Sequence, residues 1–587
     1  MKLLAAVLTG TALILVSACA SIPAMPTAAE PAVQPDAALD ALSERMVAML
    51  VGYDPTSAYF IGVRPPDHRR WADRSIEARA AFQRQTDELL TELRAIPAGQ
   101  LTGHRRFTHA AMVERLEADR QSRICRSELW DVNHMGGWHL ELAEVAREQP
   151  VGTADERAQA LERWSSLPAV IDQEIANLRL GLEGGYSAPK PVVRRVIRQI
   201  EGLVSAEPES LPFFAIATRT EDPAFRSAFR AVLAGPVNAA FRRYREFLQN
   251  EYLPRARDEL GVSANPDGRE CYAASLRGYT TLTRSPEEVF RLGQQTVTGN
   301  LARVRELGRS TFGTDDIAAI VPRISQAPDN RFGSEEELIR FSRDAVARAR
   351  EKSIPLFLAM PAQEMRVEPF HAYRRGSGGS SYYERQIDAA QPAFYRINSE
   401  SWATETRGGA EITAVHEGYP GHHMQISFAQ STAASPASAM LGNSAYIEGW
   451  ARYSEALAEE AGIYDTVYAL MTRRLWPARG MVLDPGIHVM GWTREQAIDF
   501  MRESGRFGGT DADDLVDRIA ILPGQLAAYD SGGLEIMALR REAEAALGER
   551  FDLREFHARV LETGAVPLSA LRAHVTRWLA AERRPAQ

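Results

Sequence analysis

Lysine is almost absent from this chain of 587 residues, appearing only as Lys2, Lys190 and Lys352. Positive charge rests on arginine, and the formal net charge is −9. No basic block stands out, so nucleic acid is excluded as an expected partner. Cysteine is scarce too, at three in the whole chain, which leaves room for one internal bridge at most once Cys19 is set aside. Long apolar runs are missing: after the first twenty residues, none reaches the roughly 18 residues that read as a membrane span. Everything beyond the leader is therefore expected to be soluble. Strand signals are few as well.

What is present begins with "MKLLAAVLTGTALILVSAC". Lys2 supplies a positive start, and Leu3 to Val16 is an apolar run too short to span a bilayer comfortably. "VSAC" resembles the bacterial lipobox, whose cysteine becomes the lipidated first residue of the mature protein. Residues 1–19 thus read as a lipoprotein signal peptide with lipidation at Cys19; an ordinary cleaved signal peptide or an uncleaved anchor are the alternatives. Ala20, rather than Asp, follows the cysteine, which by resemblance to known sorting rules places the protein at the outer membrane, facing the periplasm. Residues 20–37 are rich in Pro and Ala and read as a disordered tether. In that oxidising compartment Cys125 and Cys271 are a possible disulfide; two separate buried thiols are the alternative.

Residues 38–587 read as one mainly α region. Ser285 precedes Pro286 and Glu288, the signature of a capping box. Ser334 with Glu337, Thr493 with Gln496 and Asp552 with Glu555 repeat the device before apolar periodicity. The best strand candidate is "PAFYRIN", Pro392 to Asn398, which follows the Gly/Ser-rich Arg374–Tyr383 stretch.

The informative segment is "AVHEGYPGHHMQ", Ala414 to Gln425. Zinc hydrolases of the His-Glu-x-x-His type place two imidazoles on one helix face, with the Glu polarising water. His416 and Glu417 fit the first half, but Pro420 occupies the place of the second His. Proline lacks the N–H and clashes with the preceding turn. On a straight helix His422 would lie about 240° around from His416, and His423 about 10.5 Å further along. Looping out Pro420–Gly421 as a two-residue bulge returns His422 to the ligand position; looping out three residues would select His423 instead. The third ligand expected from a second helix is Glu448 in "NSAYIEGWARYSEALAEE", with Arg452 and Glu455 on the same face to orient the ligands. Taken alone, those three charged residues read better as an exposed salt-bridged face; the His-Glu motif upstream reverses that.

"HEGYPGHHMQ", "EGWARYSE", "LPGQLAAYDSGGLEIMALR" and "FDLREFHARVLETGAVPLSALRAHV" together resemble the bacterial "domain of unknown function 885" family, from about residue 38 to 580. That family looks like a distant relative of the helical Glu-zincin peptidases, such as the carboxypeptidase Taq and angiotensin-converting-enzyme families. Dipeptidyl-peptidase III offers a parallel, since it tolerates an insertion inside its zinc motif. The resemblance implies a two-lobed helical body with a deep cleft, zinc at its floor and a small β element beside the metal. It implies that Tyr529 steadies the oxyanion, with His423 as a second donor if it is not a ligand. It also makes "PAFYRIN" an edge strand for an extended peptide and the Gly/Ser stretch a flap. Arg540 reads better as a helix-surface ion pair than as a substrate anchor.

The expected function is a lipid-anchored metallopeptidase for short peptides. One Zn²⁺ would be held by His416, His422 and Glu448, with Glu417, Tyr529 and His423 as catalytic groups. A zinc amidase acting on a non-protein amide or cell-wall peptide, and a non-catalytic metal-binding lipoprotein, are the alternatives. Substrate, cleavage mode and oligomeric state are not written in the sequence.

Overall fold

A computed structural model describes residues 34–371, 381–384, 390–432, 437, 440–505 and 511–583. The signal peptide, Cys19, most of the tether and residues 372–380 of the Gly/Ser stretch lie outside the described residues. The architecture is mainly α, as expected, and among the described residues no helix is long and apolar enough to cross a membrane.

Helix starts follow the capping chemistry. Ser285 and Thr493 form complete capping boxes with Glu288 and Gln496. Ser334 and Asp552 cap with their side chains, but Glu337 turns to the Gly333 N–H instead of closing a box. The first helix, Pro35–Tyr53, begins earlier than the boundary at residue 38. Pro35 is suited to the first turn, where no N–H is needed. Asp36 in that turn accepts from the Thr102 N–H at 3.1 Å and from its hydroxyl, which ties the helix start down.

Apolar side chains gather in several cores. One, within residues 132–256, packs Trp164, Phe213, Phe229, Phe241 and Tyr244 between helices that include Ala154–Glu183 and Lys190–Ser205. Another, within residues 332–579, is built on Tyr395, Met424, Trp450, Tyr453 and Phe556. Cys125 and Cys271 are joined in a disulfide, in a third core that also contains Tyr272 and Met481.

Strand is confined, among the described residues, to one three-stranded sheet in the order β1 (Met365–Pro369), β3 (Ala393–Ile397), β2 (Tyr382–Glu384). β3 runs parallel to β1 and antiparallel to β2. "PAFYRIN" is therefore the central strand, not an edge. The reason is its burial: Ala393, Tyr395, Arg396 and Ile397 are all buried, as befits a strand covered on both faces.

Candidate metal centre

Three helices carry the cluster, Ser444–Glu460 bringing Glu448 to the two that bear the histidines. Arg407–Glu417 ends at the motif, and His422–Thr432 resumes beyond it. The Gly418 N–H still reaches Ala414 O in the ordinary way, at 3.0 Å, and Gln425 N–H reaches Gly421 O at 3.2 Å. Between them the Gly421 N–H donates to Val415 O at 3.1 Å. A regular helix would pair Gly421 with Glu417, so two residues lie outside the ladder. They are Tyr419 and Pro420, one position earlier than the bulge expected from sequence. The register outcome is the same: His422 occupies the place that follows His416 by one turn.

The bulge is fixed from outside. The Pro420 carbonyl accepts from Trp450 Nε1 at 2.8 Å and from Ser454 Oγ at 3.1 Å. Gly421 has no alternative, because a Cβ there would lie 2.0 Å from His416 O.

His416, His422 and Glu448 converge, with one ligand atom from each lying within 4.8 Å of the others. Glu448 Oε2 is 3.5 Å from the Nε2 atoms of both histidines. That oxygen is buried and has no hydrogen-bond partner, a costly arrangement unless a cation sits among the three groups. Burial alone would raise the Glu448 carboxyl, yet the two imidazoles hold it well below the usual carboxylate range. Burial would lower His416, but Glu448 and Glu455 together push it up to about 10, a measure of how anionic the surroundings are. Two imidazoles and one carboxylate fit zinc better than magnesium or calcium.

Arg452 and Glu455 are not an exposed face. Glu455 is buried and accepts from His416 Nδ1 at 2.8 Å, which leaves Nε2 free to act as a ligand. Arg452 Nη1 donates to both Glu455 oxygens, at 2.9 and 3.1 Å. Glu417 lies buried beside the cluster, and burial raises its carboxyl; His416 and His422 oppose this, and Glu448 adds to it.

Tyr529 stands next to the centre. Its ring lies under the Arg452 guanidinium at 5.8 Å, and burial, followed by the Glu448 charge, raises its phenol. Its helix, Gln525–Leu547, packs closely against Ser444–Glu460. A Cβ on Gly532 would lie 1.8 Å from Ala445 O, which explains the glycines of "DSGG".

His423 is turned away, which corrects its assignment as an oxyanion donor and removes the three-residue register. It is fully buried, with Nε2 3.0 Å from Gln363 O and Nδ1 3.2 Å from the Tyr383 hydroxyl. The carbonyl requires a proton on Nε2, so Nδ1 accepts from Tyr383. Arg540 pairs with Glu460 at 2.8 Å and Glu544 at 2.9 Å, as expected for a helix-surface residue. Sequence reasoning missed Trp450 and Ser454 as anchors of the bulge, and it missed Arg518, which contacts Tyr529. The apolar periodicity that buries Trp450 was the one available signal.

A family pattern described as "Bacterial protein of unknown function (DUF885)" matches residues 55–575. The chain belongs to that family. Among curated proteins, no sequence matches it. The DUF885 fold is seen in a "putative lipoprotein" from Colwellia psychrerythraea, 23% identical, with a TM-score of 0.84 over 94% of this chain and 100% of that one. It is seen again in a "putative lipoprotein of unknown function" from Shewanella oneidensis, 19% identical, with a TM-score of 0.75 over 91% of this chain and 99% of that one. At these identities the likeness is one of fold.

Proposed function

We propose that this DUF885 protein is a zinc-dependent peptidase acting on short peptides. The observation that carries the reading is the convergence of His416, His422 and Glu448 around a buried Glu448 oxygen with no hydrogen-bond partner, beside a fourth group, Glu417, that the cluster does not need. A purely structural zinc site would take four protein ligands.

Zinc held by those three side chains would supply Lewis-acid chemistry, polarising an amide carbonyl and making water nucleophilic at neutral pH. Glu417 takes the proton from the attacking water and hands it to the leaving amine; its raised carboxyl suits both directions of transfer. The Tyr529 hydroxyl donates to the oxygen on which negative charge develops. Glu455 keeps the His416 proton on Nδ1 and fixes the ring. The relation to Glu-zincin peptidases belongs to the same proposal and rests on the motif order and this cluster.

The leader, and the lipoprotein descriptions of the two solved relatives, support export and anchoring through Cys19, with Ala20 favouring the outer membrane. The test is elemental analysis of the purified protein together with turnover of a short-peptide mixture. Wild type should hold about one zinc and cleave; Glu417→Gln should hold the zinc and lose turnover. A Glu417→Gln protein as active as wild type would end this mechanism, and absence of tightly bound zinc would end the reading of the cluster.

A further inference from the structure

Arg518, on helix Asp511–Ile521, is half-buried and lacks an acidic partner among the described residues. The acids beside it on the same helix are taken: Asp514 pairs with Arg195 at 2.6 Å, and Asp517 pairs with Arg195 and Arg494. Arg518 Nη2 donates to Gln525 Oε1 at 2.8 Å and makes a longer contact, 3.4 Å, with the Tyr529 hydroxyl. Its Nε is buried with no partner. A guanidinium offers five donors in a planar fork, and here most of that capacity is unused.

The position matters more than the vacancy. The Tyr529 ring lies 5.8 Å from the guanidinium of Arg452, which is paired with Glu455 behind the cluster, and its hydroxyl contacts Arg518 at 3.4 Å. One tyrosine thus links the metal cluster to an unpaired cation. In a peptide, the scissile carbonyl before the last residue and the terminal carboxylate are one residue apart, about 3.8 Å of backbone. Because Arg518 lies 3.4 Å from the Tyr529 hydroxyl, a carbonyl held by that hydroxyl would have a terminal carboxylate one residue away within reach of Arg518. Bidentate recognition of a carboxylate is what the guanidinium fork does best.

We propose that Arg518, steadied by Gln525, is the specificity residue for a free C-terminal carboxylate, so that the enzyme removes C-terminal residues rather than cutting inside chains. This rests on the reading of His416, His422 and Glu448 as a zinc centre.

The test is a binding measurement that does not depend on turnover. Zinc-treated Glu417→Gln protein is incubated with a mixed tripeptide library and with the same library amidated at the C-terminus, and retained peptides are counted by mass spectrometry. Free acids should be retained about tenfold or more over amides, as when a site built for a polar group meets an analogue that lacks it. Adding Arg518→Ala should abolish that preference while zinc content and melting temperature stay unchanged. Arg518→Lys, which keeps the charge without the fork, should restore part of it and serves as the second variant if the alanine protein does not fold. Equal retention of acids and amides, retention of neither, or a preference that survives Arg518→Ala would overturn the proposal. Zinc content is read on the same samples: a protein that holds zinc but ignores the carboxylate loses only the Arg518 assignment. A protein that holds no zinc loses the peptidase reading.

Discussion

The Gly421 N–H donates to the carbonyl of Val415, 3.1 Å away and six residues earlier in the chain. That one bond defines the bulge and hence the position of His422 in the cluster. Gly421→Ala cannot preserve it, because the added methyl would meet His416 O at 2.0 Å and Val415 O at 2.3 Å, and both are backbone atoms. The variant should lose about 3 kcal/mol or more of stability, and bound zinc with it. Calorimetric melting and metal analysis of one sample read both.

His422→Ala and His423→Ala should separate cleanly. The first removes a member of the cluster and should leave the protein without tightly bound zinc. The second removes a buried side chain bonded to Gln363 and Tyr383, so it should lower the melting temperature and keep the zinc. Zinc lost from His423→Ala alone would contradict the register described above.

Glu455→Gln tests the support of His416. It weakens the acceptor on His416 Nδ1 and leaves Arg452 without its close carboxylate. Zinc affinity should fall about 10- to 100-fold. The missing negative charge beside a buried arginine should cost several kcal/mol of stability, on the order of 3. Competition against a chromophoric chelator gives the first quantity, and thermal melting the second.

Tyr529→Phe should leave zinc content and melting almost untouched, since its hydroxyl makes a long contact, 3.4 Å, with Arg518 and the ring keeps its packing. Turnover should drop about 10²-fold with little change in KM, as for the loss of one donor to a developing oxyanion. Steady-state kinetics on a single peptide decides it.

Acid should destabilise the fold through His557. Burial pushes this histidine down to about 4 from 6.5; its Nδ1 lies 2.8 Å from Leu356 O and its Nε2 2.7 Å from the Tyr453 hydroxyl. The native state refuses a proton that the unfolded chain accepts. Its contribution is therefore complete above about pH 6.5 and is lost as pH falls toward 4, up to roughly 3 kcal/mol. The melting temperature should fall over that window, and less steeply in His557→Gln, which is less stable at neutral pH but has no proton to gain.

Much of the centre could be read from spacing alone. The insertion between His416 and His422, and the i+4 and i+7 offsets of Arg452 and Glu455 from Glu448, are local helical facts, and local periodicity is what a sequence records best. The two looped residues were misplaced by one because Gly421 was credited with leaving the ladder, whereas it rejoins it. His423 escaped because its direction is set by Gln363 and Tyr383, which arrive from another part of the chain. β3 was placed at an edge because strand order depends on which distant segments pair, and β1 and β2 carry little pattern of their own. The early start of the first helix depended on Thr102, a contact that no reading of residues 20–37 contains.

Trp450 and Ser454 belong to the same helix as Glu448, and both grip the Pro420 carbonyl. The helix that supplies Glu448 therefore also holds the corner that aims His422. The two segments are thus tied as one mechanical unit, in which a displacement of one should carry the other. Gain or loss of an ion at such a place should change occupancy more than shape.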